Sequence, residues 1–472
     1  MSTMGLRFHE RAIWATAAIL VAGIAVGLTP RPAQAAPVIL GEIDVTQAPY
    51  SANTTGAADD TAAFQRALNA AANTGAQVRV PAGQYKFAGS ISIPAYVVLE
   101  GVNDGERSYA GYMNGTASGD VVASKGTVFL VNGSRGKSDG PSFLTLNSNS
   151  ALRNITIYYP QQTSSVAPGW KAPTAYPPTI SLLGHNASVE NVCGINPYLF
   201  IASSGVGSII RRVTGQPLSV GISTDNDAGP AGQSGAQIED VHFVTTWDSH
   251  ARMTQWMKTH SAGFRTCRAD EIAMRNCSCM GYQYGFSFNR SRAGTAYGTL
   301  TSCSALHCSQ DVRITACTAG DGGGLVFDGG GFGDADDCAA FLANTNQGTV
   351  TFNSCRFFQS PRGLVTNASA AGSVVSLLAC SFDNWCTSVS GPSSSVPCVF
   401  CGDAADPKEA RGKTRILSCN FGVDQYQYTY TPGEASVFFS SNSTVNGIRV
   451  QVPAGAAPPS PDGPNYVQIN NF

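Results

Sequence analysis

The stretch Ile272–Phe288, with the sequence IAMRNCSCMGYQYGFSF, contains a unit that the rest of the chain repeats. Its first part, Met274-Arg275-Asn276-Cys277, places apolar residues at its first and fourth positions. Eight other segments share this pattern, namely Leu152–Ile155, Val189–Val192, Ile210–Val213, Ile238–Val241, Leu300–Cys303, Phe352–Cys355, Leu377–Cys380 and Ile416–Cys419. Recurrence at such intervals predicts a repeat architecture.

The copies are unevenly spaced, and the interval from Cys303 to Cys355 is twice that from Cys277 to Cys303. Loops of variable length between repeats explain this spacing. Strict alternation breaks between the first and fourth positions, so we expect a bend there. The third position is Asn, Asp or Ser in most copies, and these residues favour bends because they tolerate a left-handed backbone.

A second alternating run begins eight residues after the fourth position, as in Gly285-Phe286-Ser287-Phe288, with Gly221 and Gly363 in equivalent places. Each repeat is therefore predicted to form a coil of short strands that is too small to bury its own apolar face. Stacked coils would share one continuous core, so the predicted fold class is an all-β solenoid.

The first 35 residues resemble an export signal. Arg7 and Arg11 precede an apolar run, and Ala33-Gln34-Ala35 fits a small-x-small cleavage site. An uncleaved membrane anchor is the alternative. We expect a signal peptide over 1–35, one solenoid domain over 36–450 with its N-terminal cap and first coils in 36–101, and a Pro-rich tail over 451–472. The predicted location is secreted or periplasmic.

The charge of the chain argues against nucleic acid as a partner. Without residues 1–35, which contain three Arg and one Glu, 26 basic and 30 acidic residues remain, a net charge of −4. Because neither a polybasic tail nor a broad basic surface is evident, we expect no nucleic acid partner and, after signal cleavage, no membrane partner. Locally, seven basic and two acidic residues lie between Ser249 and Arg292.

Fourteen Cys in an exported chain would ordinarily suggest disulfides. However, five of them occupy the fourth repeat position that Ile or Val fills elsewhere, which predicts buried apolar thiols. Disulfides between stacked coils remain the alternative. Cys398 and Cys401 have C-x-x-C spacing, but without a second pair or a His cluster we predict neither a metal site nor a cofactor.

The N-terminal segment predicts a capping helix. Asp59 or Asp60 can cap a helix with Phe64 and Leu68 on its apolar face, and Gly75 can end it. The following short alternating strands fit the first coils of the solenoid.

This segment resembles a known signature. Four motifs are similar to the N-terminal region of the pectate-lyase-like superfamily, which includes rhamnogalacturonase and epimerase-like members, and they lie at residues 44–46 (DVT), 59–65 (DDTAAFQ), 80–85 (VPAGQY) and 99–101 (LEG). The resemblance implies a single-stranded right-handed parallel β-helix and polysaccharide substrates. Because hydrolases, lyases, epimerases and phage tailspikes share the signature, it transfers no catalytic residue to this chain.

Candidate catalytic groups come from the repeat. The position twelve residues after the fourth predicts an exposed row at one end of a sheet, formed by Ser204, Asp225, Met253, Asn289, Thr315 and Asn367. Asp225 is the one carboxylate in this predicted row, although it could merely shape a turn.

The next coil contains the longest excursion from the repeat, Phe243–Cys267. Glycosidic hydrolysis needs two carboxyl groups, and coils about 4.8 Å apart can place acids at the required separation. We therefore pair Asp225 with Asp270, Asp248 or Glu271. The predicted substrate-binding residues are Trp247, Trp256, Arg252 and Arg268.

His242 follows the buried Val241 and should point outward, but from a different sheet than Asp225. It is a further catalytic candidate. The favoured hypothesis is a polysaccharide-cleaving glycoside hydrolase. One alternative is a lyase acting on a uronic-acid polymer, with Arg252, Arg265, Arg268 or Lys258 neutralising the carboxylate. A non-catalytic glycan-binding or surface solenoid is the other.

Overall fold

The computed structural model describes residues 41–74, 76–102, 126–162, 171–224, 233–244, 251–318, 324–360, 363–370, 372–385, 398–401, 412–421, 437–439 and 444–451. The expected export signal and the Pro-rich tail after residue 451 lie outside the described residues. Within them the named strands pair in parallel, coil upon coil. The chain is an all-β, right-handed parallel β-helix, as expected.

Each coil passes through three faces, which we call A, B and C in chain order. Face A precedes the bend and contains β1 (Glu42–Asp44), β3 (Gln77–Arg79), β6 (Val98–Glu100), β19 (Ile272–Arg275), β22 (Gly298–Thr301), β25 (Leu325–Asp328), β28 (Thr349–Asn353) and β31 (Val374–Leu378). Face B follows the bend and contains β2 (Thr55–Asp59), β4 (Gly83–Phe87), β7 (Thr127–Val131), β20 (Ser278–Met280), β23 (Ser304–Leu306), β26 (Gly331–Gly333), β29 (Arg356–Ser360) and β32 (Ser381–Trp385).

Longer strands run through the bend and join faces A and B into one sheet. These are β9 (Ala151–Tyr158), β11 (Ser188–Ile195), β13 (Ile209–Gln216), β16 (Gln237–Val244), β34 (Lys413–Phe421) and β36 (Thr444–Gln451). Face C is a separate sheet of β5 (Ile91–Ile93), β8 (Leu144–Leu146), β10 (Ile180–Leu182), β12 (Leu199–Ser203), β14 (Val220–Ser223), β17 (Ala262–Thr266), β21 (Tyr284–Phe288), β24 (Gln310–Ile314), β27 (Cys338–Leu342), β30 (Val365–Asn367), β33 (Val399–Cys401) and β35 (Val437–Phe439). A small extra sheet pairs β15 (Gln233–Ser234) with β18 (Ala269–Asp270).

The bend lies where the repeat predicts it. In all nine copies the third residue has a positive φ, between 50° at Asn276 and 60° at Asn154. A tenth copy fills the double interval, where β25 leads to Gly329 with φ 68°. Asn residues also hydrogen-bond from coil to coil at this bend, as from Asn191 Nδ2 to Asn154 Oδ1 at 2.7 Å. The left-handed residue turns the chain from face A to face B.

The fourth repeat position forms the core. The nine residues there are 1% exposed or less, and they are Ile155, Val192, Val213, Val241, Cys277, Cys303, Cys355, Cys380 and Cys419. Stacked rings continue this core along the axis, for example Phe264 on Phe286 at 4.7 Å and Phe327 on Phe352 at 4.7 Å. Burial of this stacked apolar surface supplies the main favourable free energy of folding.

Helix α1 (Thr61–Thr74) closes the N-terminal end. It follows β2 and contacts β5, so it takes the place of a face C strand in the first coil. Its buried residues include Phe64 and Leu68, and the Phe64 ring meets that of Phe87 at 4.9 Å. The Asp59 carboxylate accepts a hydrogen bond from the Thr61 backbone N–H at 3.1 Å, which confirms the predicted cap.

A second helix, α2 (Ala251–His260), lies between β16 and β17. The excursion Phe243–Cys267 is therefore not all loop. Within the described ranges, neither helix is long and apolar enough to cross a membrane.

Candidate functional site on face C

Two of the predicted acids, Asp270 and Glu271, lie in the segment that leaves face C after β17. Arg268 Nη2 donates to Asp270 Oδ2 at 2.5 Å, and the two side chains are 32% and 19% exposed. The Asp270 backbone is fixed because its carbonyl accepts from Gly235 N–H at 2.9 Å within the β15–β18 sheet. The structure thus brings the predicted Arg268 and Asp270 together at the rim of face C.

Glu271 is exposed and has a positive φ of 54°, so it forms the turn from β18 into face A. Tyr297 occupies the same place one coil later, because its N–H donates to Ala269 O at 3.1 Å and its carbonyl accepts from Ile272 N–H at 3.1 Å. Loss of hydration raises the pKa of the Tyr297 phenol, and the charges of Asp270 and Glu271 add to this while Arg268 opposes it.

Arg268, Asp270, Glu271 and Tyr297 are called the acid cluster below. Sequence reasoning missed Tyr297. The signal that could have found it is the repeat register, which aligns Ile272 with Gly298 and hence Glu271 with Tyr297. Carboxylates beside a phenol and a guanidinium can donate and accept protons and can bind sugar hydroxyls.

A row of outward-facing positions crosses face C next to this cluster, and its two serines, Ser223 and Ser287, are buried. Ser223, Arg265, Ser287 and Arg313 are aligned on β14, β17, β21 and β24, and we call them the arginine row. Arg265 points outward because its neighbours Phe264 and Thr266 are buried, and its Nη2 donates to Ser223 Oγ at 3.2 Å. Within the described residues no carboxylate forms an ion pair with Arg265.

Helix α2 packs across the start of the face C strands. Lys258 Nζ donates to Asp336 Oδ1 at 2.7 Å, and the Lys258 carbonyl accepts from Ser309 Oγ at 2.7 Å. The Trp256 ring is stacked on His260 at 4.9 Å and lies 6.4 Å from Tyr198. Trp256 thus packs on protein rings, which leaves less of its surface for a sugar. Arg252 lies in the same helix and is exposed.

The predicted row of strand ends is correct in part. Ser204, Asn289 and Thr315 follow β12, β21 and β24, and Thr315 Oγ1 donates to Asn289 Oδ1 at 2.9 Å. The expectation for Met253 was wrong, because it lies in α2 and is fully buried. The prediction that Asn367 is exposed was also wrong, because Asn367 ends β30 at 2% exposure and donates to Thr414 Oγ1 at 2.8 Å.

His242 lies on face B, away from the turn that holds Asp270. Its Nδ1 forms a hydrogen bond with Ser278 Oγ at 2.8 Å in the next coil. Burial lowers the pKa of the imidazole, and the charge of Asp240 partly opposes this. A neutral His242 could act as a base, but the structure does not bring it to the acid cluster.

Asp225, Trp247 and Asp248 lie outside the described residues, and their roles stay predictions. Asp225 directly follows Thr224, whose N–H donates to Arg265 O at 2.9 Å. Across the described ranges, no group of three or more His, Cys, Asp or Glu side chains is arranged to hold a metal ion.

The three parallel faces and the left-handed bends define the class of this protein as a right-handed parallel β-helix. The family model described as "Rhamnogalacturonase A/epimerase, pectate lyase-like" matches residues 45–175, which confirms the resemblance of the N-terminal segment. No curated protein matches the sequence.

Several solved structures are similar to this chain. DFA-IIIase from Arthrobacter chlorophenolicus A6, in complex with GF2, is 10% identical over 87% of this chain and 95% of that chain, with a TM-score of 0.51. The catalytic domain of a GH87 alpha-1,3-glucanase in complex with nigerose is 12% identical over 89% of this chain and 70% of that chain, with a TM-score of 0.50. At these identities the likeness shows the fold.

Proposed function

We propose that the protein is a secreted carbohydrate-active enzyme that cleaves glycosidic bonds of a polysaccharide bound along face C. The carrying observation is the acid cluster at the rim of face C, beside an outward-facing Arg265 with no carboxylate partner among the described residues. The two similar structures are described with GF2 and with nigerose as ligands, which supports a carbohydrate substrate. Export rests on the signal-like residues 1–35.

In a glycoside hydrolase, one carboxyl group protonates the leaving oxygen and another acts as base or nucleophile. We assign Asp270 to this pair, with Asp225, Asp248 or Glu271 as its partner. Asp270 Oδ2 accepts from Arg268, while its Oδ1 accepts no hydrogen bond from the described residues. Arg268 would orient the carboxylate, and Arg265 would bind the sugar chain.

A lyase is the second candidate function. Arg265 favours it, because a guanidinium that forms no ion pair with a carboxylate of the described residues could neutralise the carboxylate of a uronic-acid unit. Elimination leaves an unsaturated sugar that absorbs ultraviolet light, whereas hydrolysis produces reducing ends without that absorbance.

The test is to incubate the mature protein with a polysaccharide panel and to measure reducing ends and ultraviolet absorbance. We expect reducing ends without the absorbance. Asp270→Asn should lower turnover about 10²- to 10⁴-fold, as loss of general acid-base catalysis does. Glu42→Gln, which changes an exposed acid paired with Arg79 in the first coil, is the matched control and should retain activity.

Circular dichroism and thermal melting should be the same in all variants. Near-normal turnover in Asp270→Asn would move the catalytic site away from the acid cluster. Glycan binding with no product from any polysaccharide would instead identify a non-catalytic binding protein.

A further inference from the structure

Arg313 is held in an unusual setting at the end of the arginine row. It lies on β24, and its guanidinium carbon is 4.8 Å from the centre of the Tyr284 ring and 5.4 Å from that of Phe341. These rings belong to the coils before and after it, since β24 pairs with β21 and β27. The two aromatic contacts restrain the guanidinium in one orientation on the outer surface of face C.

No carboxylate forms an ion pair with this guanidinium within the described residues. Its Nη1 donates to Gln310 Oε1 at 2.9 Å, and Gln310 Nε2 in turn donates to Asp337 Oδ2 at 2.8 Å. Gln310 therefore lies between Arg313 and the acid Asp337. Arg356 on face B shows the contrasting arrangement, because it stacks on Phe358 at 4.7 Å and also pairs with Asp383 at 3.3 Å.

Arg265 and Arg313 lie in the same outward row, separated by the strand that contains Ser287. Parallel strands about 4.8 Å apart place their backbones roughly 10 Å from each other. Two guanidinium groups on one face of the sheet, neither in an ion pair with a carboxylate of the described residues, are suited to a ligand with repeated negative charges. A restrained guanidinium binds carboxylate or sulfate oxygens with little further loss of side-chain freedom.

We propose that Arg313 is a specificity-determining residue, which binds a carboxylate or sulfate group of an acidic glycan lying along face C while Arg265 binds a second such group. This inference rests on the proposed function, because it concerns the same binding face. It extends the binding surface to β24 and β27, beyond the coil that carries Asp270. Arg313 would therefore bind the acidic group of the glycan two coils away from Asp270.

The test compares polymers that differ in charge. Polygalacturonate, polymannuronate and a sulfated galactan are each measured beside their methyl-esterified or desulfated forms by calorimetry or affinity electrophoresis. We expect tighter binding of at least one charged polymer than of its neutral form. Comparison of the two uronate polymers with the sulfated galactan shows whether a carboxylate or a sulfate group is preferred. Equal binding of all charged and neutral pairs, or no binding, overturns the inference.

The variants are Arg313→Met and the matched control Arg356→Met, which removes a stacked arginine that has its own carboxylate partner. Arg313→Met should weaken binding of the charged polymer at least tenfold and leave that of its neutral form unchanged, while Arg356→Met changes neither. Arg313→Lys, which keeps the charge without the planar fork, should give an intermediate loss and serves if the Met variant does not fold. Unchanged binding in folded Arg313→Met or Arg313→Lys overturns the inference.

These experiments distinguish a failure of this inference from a failure of the proposed function. Cleavage of a neutral polysaccharide with no preference for charge would uphold the proposed function and refute the role of Arg313. Arg313-dependent binding of an acidic glycan without cleavage would support the role of Arg313 and refute the proposed function.

Discussion

Asp311 is a buried acid in an apolar core. It lies on β24, fully buried, at the register position that Gly285 occupies in the preceding coil. Neither of its carboxylate oxygens has a well-formed hydrogen bond within the described residues. Burial raises the pKa of Asp311 well above its usual range, and the neighbouring Cys308 adds to this. Burial therefore favours the neutral form of this carboxyl group in the folded protein.

Because the pKa is higher in the folded than in the unfolded state, the free energy of unfolding contributed by Asp311 falls as pH rises above about 4, where an unfolded Asp ionises. We expect Asp311→Ala to raise the free energy of unfolding by about 1–3 kcal/mol at pH 8 and by less at pH 4. Denaturant titrations at both pH values measure this. Asp328→Ala on the outer surface of face A is the control, and an equal effect of Asp311→Ala at the two pH values would contradict the explanation.

At the scale of the single strand and its bend, the left-handed third position is the feature that shapes each coil. Ala379 adopts φ 50° there, although Ala lacks the side-chain hydrogen bonds that Asn and Asp form at bends. In the stacked copies, Asn276 Nδ2 donates to Asp240 Oδ1 at 2.7 Å, a bond that Ala379 cannot make. Ala379 is thus a locally unfavourable copy of the repeat.

Ala379→Gly should raise the free energy of unfolding by about 0.5–1 kcal/mol, because glycine adopts positive φ without steric cost. The matched control is Ala273→Gly in the middle of β19, where Ala273 is exposed and in extended backbone. That change should lower the free energy of unfolding by about the same amount. Destabilisation of both variants in chemical denaturation would show that the bend at Ala379 is not strained.

At the scale of the whole molecule, the stacked cysteines run along much of the core. Among the described residues, eight buried cysteines are free thiols, namely Cys277, Cys279, Cys303, Cys308, Cys317, Cys355, Cys380 and Cys419. Burial raises the pKa of the Cys277 thiol well above its usual value, and its neighbour Cys303 in the next coil adds to this. The expectation of apolar thiols is confirmed for these positions, and disulfide pairing is not observed there.

A thiol-reactive dye should therefore modify few cysteines in the native protein and at least eight after unfolding without reductant. The thiolate is the reactive form; burial keeps the dye from these thiols, and at Cys277 the raised pKa also suppresses the thiolate. Cys303→Val should lower the free energy of unfolding by less than about 1.5 kcal/mol, because Val occupies the same fourth repeat position at Val213 and Val241. A low thiol count after unfolding would reveal disulfides that formed between coils.

The repeat, the bends and the buried fourth positions could be predicted from sequence because each depends on a few neighbouring residues. Strict alternation breaks between the first and fourth positions, and the third tolerates a left-handed backbone, so these few residues specify the bend. The capping helix follows from Asp59 and the spacing of Phe64 and Leu68 in the same way. These features determined the solenoid class before any tertiary contact was known.

The site was decided by tertiary structure, because it joins residues from different coils whose loops vary in length. Arg268 and Asp270 lie two residues apart and were each predicted as site residues, whereas their ion pair and the approach of Tyr297 from the next coil appear only in the folded chain. The placing of Arg313 between Tyr284 and Phe341 depends on the register of three strands, β21, β24 and β27. A local pattern determines each coil, but the side chains that meet between coils depend on how the coils stack, which only the folded chain specifies.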